Sequence, residues 1–159
     1  MERILIVSDT HGELNRIKKH IESSEKEIDF IIHAGDNWKD GLQLADYVGT
    51  EVAAVVGNCD PMGSASQEQL LEFDNIKVFV THGHIYSVKQ DLQRIYYRGR
   101  EVEADIVVFG HTHIPFNKEI EGMHLFNPGS ASEPRGCSDY SCGFLEIIND
   151  KFYIKNIDI

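Results

Sequence analysis

Five times between Ile4 and His113 a short run of branched aliphatic residues ends abruptly in a polar cluster. The runs are Ile4–Val7, Phe30–Ala34, Val52–Val56, Ile76–Val80 and Asp105–Phe109. The clusters that close them are Asp9-Thr10-His11-Gly12, Gly35-Asp36, Gly57-Asn58-Cys59-Asp60, His82-Gly83-His84 and Gly110-His111-Thr112-His113. A continuous apolar run suits a strand covered on both faces. Between the first three runs, Leu14, Ile17 and Ile21, and then Leu42, Ala45 and Val48, recur at helical spacing. The opening third therefore reads βαβαβ, the grammar of a mainly parallel sheet with helical crossovers.

Beyond this the pattern changes. Residues 61–75 carry Pro61, Gly63 and several small residues, and are expected to form a surface loop with at most one helical turn. Val88, Leu92, Ile95 and Tyr96 mark an amphipathic helix ending near Gly99. After Pro115 the chain reads as two hairpins, turning at Glu121-Gly122 and at Asn149-Asp150. A βαβ half and a β-rich half within 159 residues predict one α/β domain spanning 1–159, with two sheets packed face to face and helices outside.

Parallel strands bring their carboxyl ends to one edge of a sheet, where α/β proteins bind ligands, so the five clusters should converge. They supply carboxylates, imidazoles and one amide, a donor set for borderline divalent ions; thiolate-rich zinc or iron–sulfur sites need more cysteine than Cys59, Cys137 and Cys142. Each cluster alone has an ordinary explanation. Asp9 could cap a helix, Asp36 could make a turn, and Asn58 could bond locally. His111 and His113 would aim both imidazoles one way if the segment were extended. Five such clusters, each directly after an apolar strand, make a constellation.

In this order, D-x-H, G-D, G-N-x-D, G-H and G-H-x-H resemble the calcineurin-like metallophosphoesterase superfamily, and most of all its small single-domain bacterial and archaeal phosphodiesterases. The resemblance runs from Ser8 to Asn127-Pro128-Gly129-Ser130. It implies a four-layer αββα sandwich of two mixed β-sheets flanked by helices, with a dinuclear metal site at the C-terminal edge of the strands. It gives one metal to Asp9, His11, Asp36 and His113, and the second to Asp36 as bridge with Asn58, His82 and His111. It also implies hydrolysis of a phosphate ester by a hydroxide bridging the two ions, with Asp36, Asn58 and His84 acting at the reacting centre. Two divalent ions are expected: Mn²⁺ first, with Fe²⁺, Zn²⁺, Co²⁺ and Ni²⁺ compatible with the same donors.

His84 is a candidate to orient a ligand or contact phosphate, against a plain structural role at a strand end. His33, His20 and His124 read as structural. Arg135, after the Asn127–Ser130 turn, is the loop cation nearest a phosphate, although an exposed arginine without function is the simpler reading. Many relatives carry histidine where this chain has Cys59. A thiol cannot become a cation at neutral pH, so diesters or esters with acidic leaving groups should be favoured over alkyl monoesters. A phosphomonoesterase and a non-catalytic, protein-binding scaffold of the same fold are the alternatives; a scaffold predicts eroded ligand positions, whereas all seven are filled here.

Fifteen basic against twenty-six acidic residues give a net charge of −11, which repels nucleic-acid backbones and argues against general nucleic-acid binding. The partner expected is a small phosphoester. Odd, sparse cysteines and the absence of a long apolar stretch read as a cytoplasmic protein without membrane contact. Tyr96, Tyr97 and Phe116 are candidates for either a homo-oligomer contact or core.

Overall fold

Ile4, Leu5, Ile6 and Val7 have no solvent-exposed surface, as a strand with two covered faces requires. They lie in strand β1 (Glu2–Val7) of a computed structural model that describes residues 1–24 and 26–159. β2 (Phe30–His33) pairs parallel with β1, and β3 (Glu51–Ala54) pairs parallel with β2. Helices α1 (Asn15–Ser23) and α2 (Lys39–Val48) make the crossovers, placing Leu14, Ile17, Leu44 and Ala45 on Leu5, Val7 and Ile31. The βαβαβ reading holds.

The second sheet is built from β4 (Glu68–Phe73), β5 (Ile76–Thr81), β6 (Ile106–Val108), β7 (Phe116–Ile120) and β8 (Met123–Asn127), in the order β4-β5-β6-β8-β7. α3 (Gln93–Glu101) covers its outer face, with Ile95 on Phe79, Val107 and Leu125. β9 (Ser141–Ile148) and β10 (Lys151–Asp158) complete the first sheet, in the order β10-β9-β1-β2-β3. β9 runs antiparallel to β1, and β5, β6 and β8 run parallel to one another, so both sheets are mixed. Between them lies an apolar layer of Ile4, Ile6, Ile32, Val78, Val80, Ile106, Val108, Phe126, Leu145 and Ile147. Each such side chain contributes about 1.5–3 kcal/mol by leaving water. The architecture is the expected αββα sandwich.

Both hairpins turn where expected. Glu121 and Gly122 have φ of 48° and 81°, and Asn149 and Asp150 have 50° and 60°. Positive φ at both central residues matches the right-handed twist of the strands. Two expectations fail. Residues 68–73 form strand β4, an edge strand antiparallel to β5, where a loop was expected. α3 begins at Gln93, because Val88 is buried by a chain reversal through a 3-10 turn at His84–Tyr86 and a left-handed Ser87. Phe116 and Tyr96 pack against the cluster under α3, whereas Tyr97 is exposed. Among the described residues no helix is long and apolar enough to cross a membrane.

Candidate metal centre

The loops after β1, β2, β3, β5 and β6 meet at one edge of the sandwich, stitched by hydrogen bonds that cross between the sheets. His82 Nδ1 lies 2.7 Å from Ala34 O, and the His111 amide donates to Asp9 Oδ2 at 3.0 Å. Asp9, His11, Asp36, His111 and His113 all adopt the left-handed conformation, with φ between 45° and 67°. Non-glycine residues there are strained by about 1–2 kcal/mol each, and such strain gathers where function over-determines the backbone. Five cases in one place mark this edge as the functional one.

Asp9, His11, Asp36 and His113 form the first group, with one ligand atom of each within 4.8 Å of all the others. Asp9 is no helix cap: α1 is preceded by Leu14, and the Asp9 carboxylate is fully buried in the cluster. Its Oδ2 accepts from Ser8 Oγ at 2.7 Å, and its Oδ1 stands 3.1 Å from His113 Nε2. Burial alone would raise the Asp9 carboxyl, but the hydrogen bond from His113 and the charges of His82 and His113 hold it below the usual range. Asp36 behaves alike. Burial opposes its charge, and His82, 3.4 Å away, with the Cys59 amide at 2.9 Å, holds it well below the usual carboxylate range.

His82, His111, Asn58 and His84 lie on the other side of Asp36. The His82 and His111 rings are 5.1 Å apart, and His82 Nε2 is 3.3 Å from Asn58 Oδ1. His84 is 5.4 Å from His82 and 6.1 Å from His111, ring to ring, and its Nδ1 is buried without a partner. His111 and His113 do not share an extended segment, since both are left-handed. Each imidazole instead joins a different group, His113 with Asp9 and His111 with His82.

The imidazoles divide electrostatically. Burial would lower His82 and His113, but Asp36 and Asp9 overcome it and raise both. Burial, with the charges of His82 and Lys89, pushes His111 down to about 4. Without metal, the buried carboxylates make His82 and His113 hold protons more readily, and an entering cation competes with protons at these sites. His11 Nε2 is buried with no hydrogen-bond partner. An unpaired buried polar atom costs about 1–3 kcal/mol, and this one stands 3.9 Å from Asp36 Oδ2. The mixed O and N donors, the unpartnered His11 nitrogen and the carboxylate pair fit a divalent cation.

Several residues to which the sequence assigned no role at the site support it. Asp60 Oδ1 accepts from the Asn37 and Trp38 amides and its Oδ2 from Gly57 N, locking the β3 loop to the Asp36 turn. Ser130 and Ser132 hydroxyls both donate to Asp9 O, and Glu133 O faces His113 Nδ1 at 2.6 Å. Their loop carries Arg135, whose amide donates to His113 O, so this exposed cation stands beside the first group. Only Asp60 and Ser130 sat in recognisable motifs; nothing in the sequence marked Ser132.

His33 is fully buried and hydrogen-bonded. The Gly35 amide donates to its Nδ1 at 3.2 Å, and burial pushes the ring down to about 4 from 6.5. The unfolded chain takes up a proton near pH 6.5 that the folded chain refuses until about 4, so stability falls as pH drops through that window. His33→Gln, which cannot titrate, should lose on the order of 3 kcal/mol less between those pH values in urea unfolding. Identical pH slopes for variant and wild type would disprove this.

Comparison with known proteins gives a consistent set of similarities. The model of the calcineurin-like phosphoesterase superfamily domain matches residues 2–150. A Bacillus subtilis protein named probable metallophosphoesterase YsnB is 36% identical over 98% of this chain and 90% of its own length. The phosphodiesterase YfcE of Escherichia coli is 27% identical over 100% of this chain and 99% of its own. Among solved structures, a predicted phosphoesterase from Streptococcus pneumoniae superposes with a TM-score of 0.82 at 26% identity, covering 99% of this chain and 89% of that one. Vps29 of Entamoeba histolytica, solved with Zn²⁺, superposes at 0.77 with 22% identity over 98% of both chains, a likeness of fold alone.

Proposed function

The chain belongs to the calcineurin-like phosphoesterase superfamily, and from that premise we propose that it is a phosphodiesterase with a two-metal centre. The observation that carries the reading is the meeting of Asp9, His11, Asp36 and His113, one ligand atom of each within 4.8 Å of the others, with His11 Nε2 buried and unpartnered. In this reading those four hold the first ion, and Asp36 is shared with Asn58, His82 and His111, which hold the second. When bound, a pair of divalent ions supplies Lewis acidity to phosphoryl oxygens and lowers the pKa of water from 15.7 toward ~7. The exposed Asn58 amide and the imidazole of His84 offer hydrogen bonds to a phosphate lying over Asp36.

Cys59 decides the substrate preference. A thiol cannot become a cation at neutral pH, so Cys59 is a poorer proton donor to a departing oxygen than an imidazolium would be. Leaving groups that depart without protonation, such as phenolates, suit this site better than alkoxides. Phosphodiesters with acidic leaving groups are therefore the assigned class, and Mn²⁺ the ion of choice for assay.

The test is hydrolysis of bis-p-nitrophenyl phosphate against p-nitrophenyl phosphate and an alkyl monoester, by metal-stripped protein with Mn²⁺ restored. The diester should be turned over fastest, and Cys59→His should raise the alkyl monoester rate relative to the diester by about 10²-fold or more, the usual worth of a positioned acid. A Cys59→His variant with an unchanged ratio would refute the role given to the thiol. Tight Mn²⁺ binding without turnover of any ester would refute the enzyme and leave a metal-binding scaffold.

A further inference from the structure

We propose that the buried chain of His33, Thr10 and Asp40 is a positioning device that fixes His11 against Asp36 and thereby sets the affinity of the first metal position. The inference rests on the metal-centre reading above and concerns residues outside its ligand set. All three are essentially buried, at 0%, 0% and 1% exposure. The direction of every hydrogen bond follows from one fact: the Gly35 amide donates to His33 Nδ1. His33 must then carry its proton on Nε2 and donate it to Thr10 Oγ1, 2.9 Å away. With that lone pair taken, the Thr10 hydroxyl donates to Asp40 Oδ2 at 2.6 Å, where the Gly12 amide also donates at 2.8 Å.

The chain therefore starts at the residue before Asp36 and ends on the residues flanking His11. It ties the two loops whose side chains must meet, and His11 Nε2 stands 3.9 Å from Asp36 Oδ2. His11 has no other restraint of this kind: no side-chain hydrogen bond from it is found among the described residues, and its backbone is left-handed at φ 45°. Its three fellow ligands are buried and held by further contacts, Asp9 by Ser8, Asp36 by Cys59 and His113 by Glu133. Asp40 has no cationic partner among the described residues. A buried carboxylate without a counter-charge is expensive unless its hydrogen bonds serve a purpose. Its place in the first turn of α2, at the positive end of the helix, lets the fold keep it there.

Groups that orient a ligand from behind are worth 10–100-fold in metal affinity. The decisive variants are Thr10→Val, equal in shape but without the hydroxyl, and Thr10→Ser, which keeps it. Metal-stripped proteins are titrated with Co²⁺, followed by visible absorption and calorimetry, with near-ultraviolet circular dichroism as the check on folding. Wild type should take two equivalents. Thr10→Val should bind one of them about 10–100-fold more weakly and the other within threefold of wild type, and Thr10→Ser should recover wild-type binding. Asp40→Ala, which removes the oxygen that accepts from both Thr10 and Gly12, should repeat the Thr10→Val result, and it decides the matter if Thr10→Val does not fold.

Unchanged binding in the deciding variant, equal weakening of both equivalents, or failure of Thr10→Ser to recover would overturn the positioning role while leaving the metal centre standing. Absence of any Co²⁺ binding by wild type would overturn both.

Discussion

Asp36→Asn is expected to lower Mn²⁺-dependent hydrolysis of bis-p-nitrophenyl phosphate by more than about 100-fold, because it removes charge where both groups of ligands meet. Loss of a group that merely supports a ligand costs up to about that much, so loss of a shared ligand should cost more. A second readout is thermal. Mn²⁺ at ~100 times its Kd should stabilise wild type by about 2.7 kcal/mol for each ion bound, or some 5–10 °C, and the variant should lose most of that gain.

The metal-free fold should survive this change, which is what makes the result interpretable. Asp36 is left-handed at φ 60°, and asparagine enters that region more readily than almost any residue except glycine. Its side-chain oxygen can still accept from the Cys59 amide, as Asp36 Oδ1 does at 2.9 Å. What is lost is the charge facing His82, and His82 retains Asp9 at 3.9 Å. A cost of about 1–3 kcal/mol, or roughly 2–12 °C, follows for the metal-free protein, because His82 keeps a carboxylate. If the variant keeps wild-type turnover and its full Mn²⁺-induced shift, Asp36 is not the shared ligand.

How much of this was legible beforehand depends on the side chains that carried the signal. β1, β2, β5 and β6 could be read because residues such as Ile4–Val7 and Ile106–Val108 are buried on both faces, leaving an uninterrupted apolar run. The clusters behind them were legible because carboxylate and imidazole after such a run have few other uses. β4 was not, since as an edge strand it interleaves Glu68, Gln69 and Glu72 with a half-exposed Leu70 and shows no clean period. The start of α3 was misplaced because Val88 is buried by a chain reversal that no local pattern announces. Most hidden of all was the conformation of the clustered residues. Asp9, His11 and Asp36 look like any Asp or His in sequence, and only contacts from Ser130, Asp40 and Asp60, far along the chain, hold the loops around them in place.

The glycine opening Gly57-Asn58-Cys59-Asp60 is a case where the residue type was legible and its reason was not. A turn glycine ordinarily supplies positive φ, but Gly57 is not among the residues with positive φ. What it supplies is room. A Cβ there would fall on Asp36 Oδ1 and the Asp36 amide nitrogen and lie 2.8 Å from Asp36 Cγ. Neither side can yield freely, because Gly57 N is held by Asp60 Oδ2 at 2.7 Å and Asp36 by the Cys59 amide. Gly57→Ala should therefore cost about 1–3 kcal/mol by overpacking and push Asp36 out of place. A displacement near 1 Å at a reacting centre is worth about 10²-fold in rate. Gly122→Ala is the matched control, with φ 81° and nothing within 4 Å of an added Cβ, in the hairpin joining β7 and β8. It should cost about 1–2 kcal/mol from backbone strain alone, with turnover unchanged. Equal activity in the two variants would show that the close approach of Gly57 is not what places Asp36.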